Sequence, residues 1–275
     1  MAENGRPWPI RLLALAAALA AGAGGCRADD LWRVAVDRDP AVLYAVPTCE
    51  PVVALTLDDG PHAASTPGIL EVLGRHGARA TFFLIGANLP GNEALVEAIV
   101  SAGHEIANHG GYDRPAVDLG PARFERDLLA THERLARFGE PRFYRPGSGW
   151  YDDWMLPIVA RHGYTLALGS VYPFDVELPW PALTRSVAEW GIEPGAILVL
   201  HDAGESGPRT WEVLEGLLPE LEERGLRVVS LSELVRLAAV PAARDSREGS
   251  ATIEAFGERA SCPPSSRAAS PPSAP

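Results

Sequence analysis

The stretch VVALTLDDGP, residues 52–61, decides the fold. Its first six residues are apolar apart from one threonine, which is typical of a strand buried on both faces of a parallel sheet. Two carboxylates, Asp58 and Asp59, follow directly, and such groups are costly after a buried strand unless a cation or an arginine compensates them. The stretch therefore predicts a strand that ends in a functional site. Carboxylates that cap a following helix are the alternative.

Six more short apolar runs follow, with helical patterns between them. One predicted helix contains Phe124 behind Asp118, a candidate cap, and another contains Trp211 and should end at Gly225. Strands that alternate with helices predict an α/β fold with a parallel sheet, and seven units predict a barrel rather than an open sheet. The seven predicted strands are residues 52–57, 80–85, 104–107, 142–144, 165–168, 196–200 and 227–230.

Polar residues follow the predicted strands, and the carboxyl ends of barrel strands meet at one mouth. His109 and Asp113 are four residues apart, so one turn or tight loop would aim both at one point, and the two glycines between them let the backbone bend. Metal ligands and acid–base groups are thus expected from separate strands. The residues at this predicted mouth are Asp58, Asp59, His109, Asp113, Arg145, Asp175 and His201.

These motifs resemble those of the polysaccharide deacetylases, the NodB-like members of carbohydrate esterase family 4. TLDDGP at 56–61 is similar to the family signature Thr-Phe-Asp-Asp-Gly-Pro. The stretches TFF at 81–83, GHEIANH at 103–109, RP at 145–146 and LVLHD at 198–202 fall in the family's order and approximate spacing. The resemblance covers roughly residues 51–234, and it implies a distorted (β/α)7 barrel of the NodB type.

The resemblance implies a metal-dependent hydrolase that removes N-acetyl groups from amino sugars of a chitin-like or peptidoglycan-like polysaccharide or oligosaccharide. Asp59 and His109 would bind one divalent metal ion together with Asp113, which replaces the family's second histidine. Zinc is the expected ion, with manganese, cobalt and nickel as alternatives. For Asp113, a turn residue or a salt bridge to Arg114 is the alternative.

The resemblance also implies roles for the other residues at the mouth. Asp58 would be the general base, paired with Arg145, and His201 would be the general acid, oriented by Asp175. The expected oxyanion and substrate contacts, including an apolar pocket for the acetyl methyl, are Ser148, Gly149, Trp150, Val199 and Leu200.

The chain departs from the family pattern in two further motifs. Arg-Pro-Gly-Ser-Gly at 145–149 lacks the family's aromatic residue, which Trp150 would replace. Asp175 is followed by Val176 instead of tryptophan, and Tyr172 lies where another acid is common. These departures concern sugar specificity more than the class of reaction.

Two other functions remain open. A metal-independent amide or cyclic-imide hydrolase could use the same barrel, but the presence of both Asp59 and His109 argues against it. A catalytically inactive glycan-binding barrel is the other, and it would not need Asp58, Arg145 and His201 together.

Composition excludes several classes of protein. The 275 residues are 47% hydrophobic and 22% charged, which is typical of a globular protein. The net charge of −12 and the lack of a basic block exclude nucleic acid as the main partner, and nothing points to a protein partner. Three cysteines are too few for a disulfide scaffold.

The two ends differ from the central part. Arg6 and Arg11 with the apolar run 12–25 predict that residues 1–28 are a signal peptide or an N-terminal anchor, with possible lipid attachment at Cys26, and an extracytoplasmic protein. Residues 29–50 would be a linker, 51–237 the catalytic domain and 238–275 a disordered tail rich in Ala, Ser and Pro. Cys49 and Cys262 could pair or stay unpaired.

Overall fold

The computed structural model describes residues 39–204 and 206–238. All seven predicted strands are present, and each of their ends lies within one residue of the prediction. An additional two-residue strand, β1, lies in the predicted linker. The strands are β1 (Val42–Leu43), β2 (Val52–Asp58), β3 (Ala80–Leu84), β4 (Glu105–Asn108), β5 (Phe143–Tyr144), β6 (Thr165–Ala167), β7 (Ile197–His201) and β8 (Arg227–Val229).

The helices occupy the segments between the strands, as the alternation predicts. Two short 3-10 turns, Gly86–Asn88 and Ala116–Leu119, lie in the loops after β3 and β4. The α-helices of the described residues are α1 (Thr66–Arg75), α2 (Glu93–Ser101), α3 (Pro121–Leu135), α4 (Met155–Arg161), α5 (Pro181–Gly191), α6 (Ser206–Glu223) and α7 (Leu231–Ala238).

The sheet is parallel and curls into a distorted (β/α)7 barrel, which confirms the predicted fold. Its strand order is β1-β6-β5-β4-β3-β2-β7, and β8 pairs with the first part of β2. Isolated bridges from Ala45 to Ala196 and from Val171 to Leu198 connect the two ends of the sheet across the gap between β6 and β7. The barrel is therefore closed by single bridges at this point, not by a continuous ladder.

The register between β2 and β7 separates two environments. Leu57 pairs with Leu200, and both pack in the core between sheet and helices, where truncation of a leucine costs about 2–5 kcal/mol. Asp58 pairs with His201. Because residues that pair in register share a face and neighbours alternate, Asp58 and His201 lie on the barrel's interior face.

Glycines end four helices before the next strand begins. Gly77, Gly103, Gly163 and Gly225 all have positive φ, between 58° and 82°, a region that L side chains avoid. The predicted cap at Asp118 is wrong: this residue lies in a 3-10 turn, and Gly120, with φ 67°, precedes α3. Gly120 supplies the backbone angle that starts the helix.

Several predictions fall on residues outside the described ones. These are the signal or anchor at 1–28, lipid attachment at Cys26, pairing with Cys262 and the tail from residue 239. Cys49 itself is disulfide-bonded. Within residues 39–204 and 206–238, no helix combines the length and apolar character needed to cross a bilayer.

Candidate active site

The chain turns sharply where β2 ends. Asp59 has φ 73°, a left-handed conformation that costs an L-residue about 1–2 kcal/mol, and the peptide bond between Gly60 and Pro61 is cis. Asn88 donates a hydrogen bond from Nδ2 to the carbonyl oxygen of Asp59 at 2.8 Å. The turn separates the two adjacent carboxylates: Asp58 stays buried at the end of β2, and Asp59 is partly exposed. A positive φ at a non-glycine residue in such a position is typical of functional sites.

A buried arginine holds the Asp58 carboxylate. Arg145 Nη1 donates to Asp58 Oδ1 at 2.6 Å and to Thr56 Oγ1 at 2.8 Å, and Nε donates to the carbonyl oxygen of Ala167 at 2.9 Å. The guanidinium lies 4.0 Å from the ring centroid of Phe83. Arg145 Nη2 is buried without a partner among the described residues. Asp58 is therefore fixed through Oδ1, which leaves Oδ2 for chemistry.

The hydrogen bond at His109 Nδ1 determines which ring nitrogen carries the lone pair. Nδ1 lies 2.8 Å from the carbonyl oxygen of Arg145, and because a carbonyl only accepts, Nδ1 is the donor. Nε2 faces Asp59 Oδ1 at 3.3 Å and Asp58 Oδ2 at 3.9 Å. A lone pair on Nε2 that faces two carboxylate oxygens is unfavourable unless a proton or a metal ion lies between them.

In the absence of a metal ion, a proton satisfies this arrangement. Burial opposes the charged form of His109, but the carboxylates of Asp58 and Asp59 raise its pKa. Burial likewise opposes ionisation of Asp59, and the hydrogen bond and charge of His109, with a contribution from His201, lower its pKa. The two side chains therefore form an ion pair, and a divalent cation could bind between them in place of the proton.

Asp59 and His109 are suited to act as two of the ligands of a divalent cation. One supplies a carboxylate oxygen and the other an imidazole nitrogen whose ring is oriented by a backbone carbonyl, as is usual for metal-binding histidines. Asp113, the predicted third ligand, is exposed. No group of three or more His, Cys, Asp or Glu side chains suited to a metal ion occurs in the described part of the chain. The structure brings two predicted ligands together and leaves the third in solvent.

A second buried carboxylate holds His201. Asp175 Oδ1 lies 3.0 Å from His201 Nδ1, and Asp175 Oδ2 accepts from the backbone N–H of His201 at 2.8 Å. Thr210 Oγ1 donates to the carbonyl oxygen of His201 at 2.8 Å and lies 3.3 Å from Asp175 Oδ2. Phe174, which precedes Asp175, has φ 60°. Burial would lower the pKa of His201, but Asp175, together with Asp58 and Asp59, raises it to about 10. His201 is therefore protonated at neutral pH, and Nε2 is the nitrogen left for a substrate.

The remaining predicted contacts divide into two groups. Ser148, Gly149 and Trp150 lie in the loop after β5, where Ser148 and Trp150 are exposed. Val199 lies on the interior face, next to the site. Leu200 is completely buried in the core that faces the helices, because neighbours along a strand alternate. The structure therefore does not bring Leu200 to the mouth.

Sequence reasoning missed several supporting residues. Asp202 is buried; its backbone N–H donates to the carbonyl oxygen of Asp58 at 2.7 Å, and its Oδ2 accepts from Thr66 at 2.5 Å. Burial, opposed by hydrogen bonds from Thr66 and Ser65, raises the pKa of Asp202 to about 7. Its position beside His201 was an available signal. Thr210 offered no local signal, since it approaches Asp175 from α6.

Comparison with known proteins identifies relatives of this chain. Residues 45–167 match the sequence model of the family described as polysaccharide deacetylase. The chain is 33% identical over 198 residues to a peptidoglycan-N-acetylglucosamine deacetylase of Bacillus cereus, which covers 71% of this chain and 93% of that protein. It is 32% identical over 200 residues to a chitooligosaccharide deacetylase of Sinorhizobium fredii, with coverage of 68% and 93%.

Solved structures have the same fold. A peptidoglycan N-acetylglucosamine deacetylase in complex with 4-naphthalen-1-yl-N-oxidanyl-benzamide has a TM-score of 0.69 and 27% identity, over 71% of this chain and 93% of that one. A family 4 acetyl xylan esterase of Clostridium thermocellum in complex with a cobalt ion has a TM-score of 0.63 and 27% identity, over 69% and 93%. A CE4 family pseudoenzyme of Bacillus anthracis has a TM-score of 0.64 and 25% identity, over 73% and 71%.

Proposed function

Because the chain belongs to the polysaccharide deacetylase family, carbohydrate esterase family 4, we propose that it hydrolyses the N-acetyl groups of amino sugars in a polysaccharide or oligosaccharide. The observation that carries this proposal is the pairing of Asp58 with His201 across β2 and β7, each held by its own buried partner. Amide hydrolysis needs a base that takes a proton from water and an acid that protonates the leaving amine. The site offers both on one interior face.

Asp58 is the base in this proposal. Its Oδ1 is bonded to Arg145, so Oδ2 accepts the proton of the attacking water while the carboxylate stays fixed. Arg145 cannot lose its own proton at any pH of interest, and it therefore holds the carboxylate without competing for the transferred proton.

His201 is the acid. An amine is a poor leaving group until its nitrogen is protonated, and a histidine with its pKa raised to about 10 holds a proton at neutral pH. Asp175 accepts from Nδ1 and keeps the ring oriented, so that Nε2 donates the proton to the amide nitrogen.

Three further features support the reaction. A divalent cation held by Asp59 and His109, with zinc the expected ion, would polarise the scissile carbonyl and make water more acidic. The backbone N–H of Ser148 would donate to the oxygen that gains charge in the transition state, whereas the N–H of Gly149 already donates to the carbonyl oxygen of Pro146 at 3.0 Å. Val199 would contact the acetyl methyl from the interior face.

A second candidate function is glycan binding without turnover. It is favoured by the exposed position of Asp113 and by the similarity to a pseudoenzyme. Acetate release distinguishes the two: we expect purified protein to release acetate from N-acetylated chitin oligomers or peptidoglycan, with less release after chelation and recovery with added Zn²⁺, Co²⁺ or Mn²⁺. Glycan binding without acetate release under any metal condition would favour the second function.

We propose that the protein acts outside the cytoplasm, where such polymers lie. The basic residues Arg6 and Arg11 before the apolar run 12–25 support this location. Fractionation of cells that express the full chain tests it, and unprocessed protein in the cytosol would contradict it.

A further inference from the structure

The turn that follows His109 is fixed by hydrogen bonds from three directions. The backbone N–H of Gly110 donates to Asn108 Oδ1 at 2.8 Å. The carbonyl oxygens of Gly110 and Gly111 accept from the backbone N–H groups of Gly86 and Ala87, at 2.8 and 2.9 Å. The third contact comes from α3, which lies farther along the chain.

That contact is the carboxylate of Asp127. Its Oδ2 accepts from the backbone N–H of Gly111 at 2.7 Å, and the side chain is only 19% exposed. A Cβ at position 111 would lie 2.4 Å from Asp127 Oδ1, and a Cβ at position 110 would lie 3.2 Å from Oδ2. Gly110 also has φ 76°. The carboxylate occupies the space that a side chain at either position would need.

We infer that Asp127 is a positioning residue for the metal-binding side chain of His109. Its charge-assisted bond to Gly111 holds the turn at 110–111, which keeps His109 Nε2 beside Asp59 and leaves Asp113 in solvent. The inference rests on the proposed function, since it treats His109 as a metal ligand. Residues that orient ligands from outside the coordination shell commonly change metal affinity by about 10–100-fold when they are replaced.

The test is titration of metal-free protein with Zn²⁺ or Co²⁺ in a calorimeter. Asp127→Ala should weaken binding by about tenfold or more. Asp127→Asn keeps an acceptor oxygen but loses the charge, so its loss of affinity should be clearly smaller than that of Asp127→Ala. Glu125→Ala is the matched control, because Glu125 lies on the same helix and bonds Arg161 and His162 at the surface. Equal affinity for Asp127→Ala and the control would overturn the inference.

A double-mutant cycle tests the contact itself. Gly111→Ala should weaken metal binding in the parent protein, because the new Cβ collides with Asp127. In the Asp127→Ala background the collision partner is gone, so Gly111→Ala should have little further effect. Additive losses in the two backgrounds would show that the residues act independently and would contradict the inference.

A readout without metal separates this inference from the proposed function. If the parent protein binds no metal, the metal-dependent part of the proposed function fails, and the turn can still be examined by NMR. We expect Asp127→Ala to speed hydrogen exchange at the amides of residues 110 and 111 and to shift the His109 ring nitrogen signals, with Glu125→Ala unchanged. Unaltered signals in Asp127→Ala would overturn the inference whether or not metal binds.

Discussion

Asp58 and His201 are register partners at the carboxyl ends of β2 and β7, and each is bonded to a different buried partner of opposite charge. Parallel pairing places the two side chains on one face of the sheet, while the separate partners keep them in opposite charge states. In the proposed reaction, this relationship supplies a base and an acid that are each held in place without a direct bond between them. The first two predictions follow from it.

Replacing the acid should affect substrates according to their leaving group. We expect His201→Ala to lower kcat/KM for an N-acetylated sugar by on the order of 10²-fold or more, because the amine then leaves without a proton donor. An aryl acetate has a leaving group that needs no proton, so its hydrolysis should fall far less. Comparable losses on both substrates would show that His201 does not act as the leaving-group acid.

The alkaline limit of activity should depend on Asp175. The pKa of His201 is raised to about 10 from 6.5, so the acid function is present at lower pH and is lost as pH rises through the raised value. A bound cation opposes protonation, which puts the limit between these two values. Asp175→Asn removes the nearest negative charge and should move the limit toward 6.5. A pH profile of kcat/KM measures this, and an unshifted limit would contradict the assignment.

The buried pair of Arg145 and Asp58 should matter for stability as well as activity. Arg145→Met leaves the carboxylate buried without its partner, and loss of one member of such a pair lowers the free energy of unfolding by about 3–5 kcal/mol. The double variant Asp58→Asn/Arg145→Met removes the uncompensated charge and should be more stable than the single variant. Urea unfolding measures both, and a double variant no more stable than Arg145→Met would refute this account.

The strand ends could be predicted from the sequence because buried parallel strands are continuous apolar runs, and their topology forces the following residues to one mouth. This rule predicted that four residues of the site meet there: Asp58, His109, Arg145 and His201. Strand β1 was missed because two residues, Val42 and Leu43, show no periodicity.

The apolar runs alone did not predict which residues of a strand face the site or how the loops are held. Leu200 follows Val199 in the motif, but the period of two turns it toward the helices. The path of the chain after Gly111 depends on Asp127, which lies on another element and leaves no local signal.

Acid stability should depend on a histidine far from the site's chemistry. His104 accepts from the backbone N–H of Ala80 through Nδ1, its Nε2 is buried without a partner among the described residues, and burial together with Arg79 lowers its pKa to about 4. The unfolded chain binds a proton near pH 6.5, so stability falls by about 3 kcal/mol as pH drops from 6.5 to 4 and then levels off.

The variant His104→Asn isolates this effect, because the amide oxygen can still accept from Ala80 and does not titrate. Asp202 acts in the opposite direction over part of the same range, since its raised pKa makes its contribution fall as pH rises toward 7. The difference between parent and variant removes that contribution. In urea unfolding from pH 7 to pH 4, the free energy of unfolding of the parent protein should fall relative to that of the variant by about 3 kcal/mol. A difference between the two proteins that does not change with pH would refute the prediction.

The effect of replacing Asp113 on metal affinity distinguishes the three-ligand site expected from the sequence from the two ligands that converge in the structure. The structure places Asp113 in solvent and holds the preceding turn on Asp127, so we expect Asp113→Ala to change the affinity for Zn²⁺ by less than about threefold. His109→Ala should abolish most of the binding, since the imidazole is one of the two converging ligands. Asp113→His should add little for the same reason, because a longer side chain does not redirect the anchored turn. Calorimetric titration of the three metal-free variants beside the parent protein measures this. A large loss of affinity in Asp113→Ala would show that the loop closes around the cation and that Asp113 completes the site, as the resemblance to the family implies.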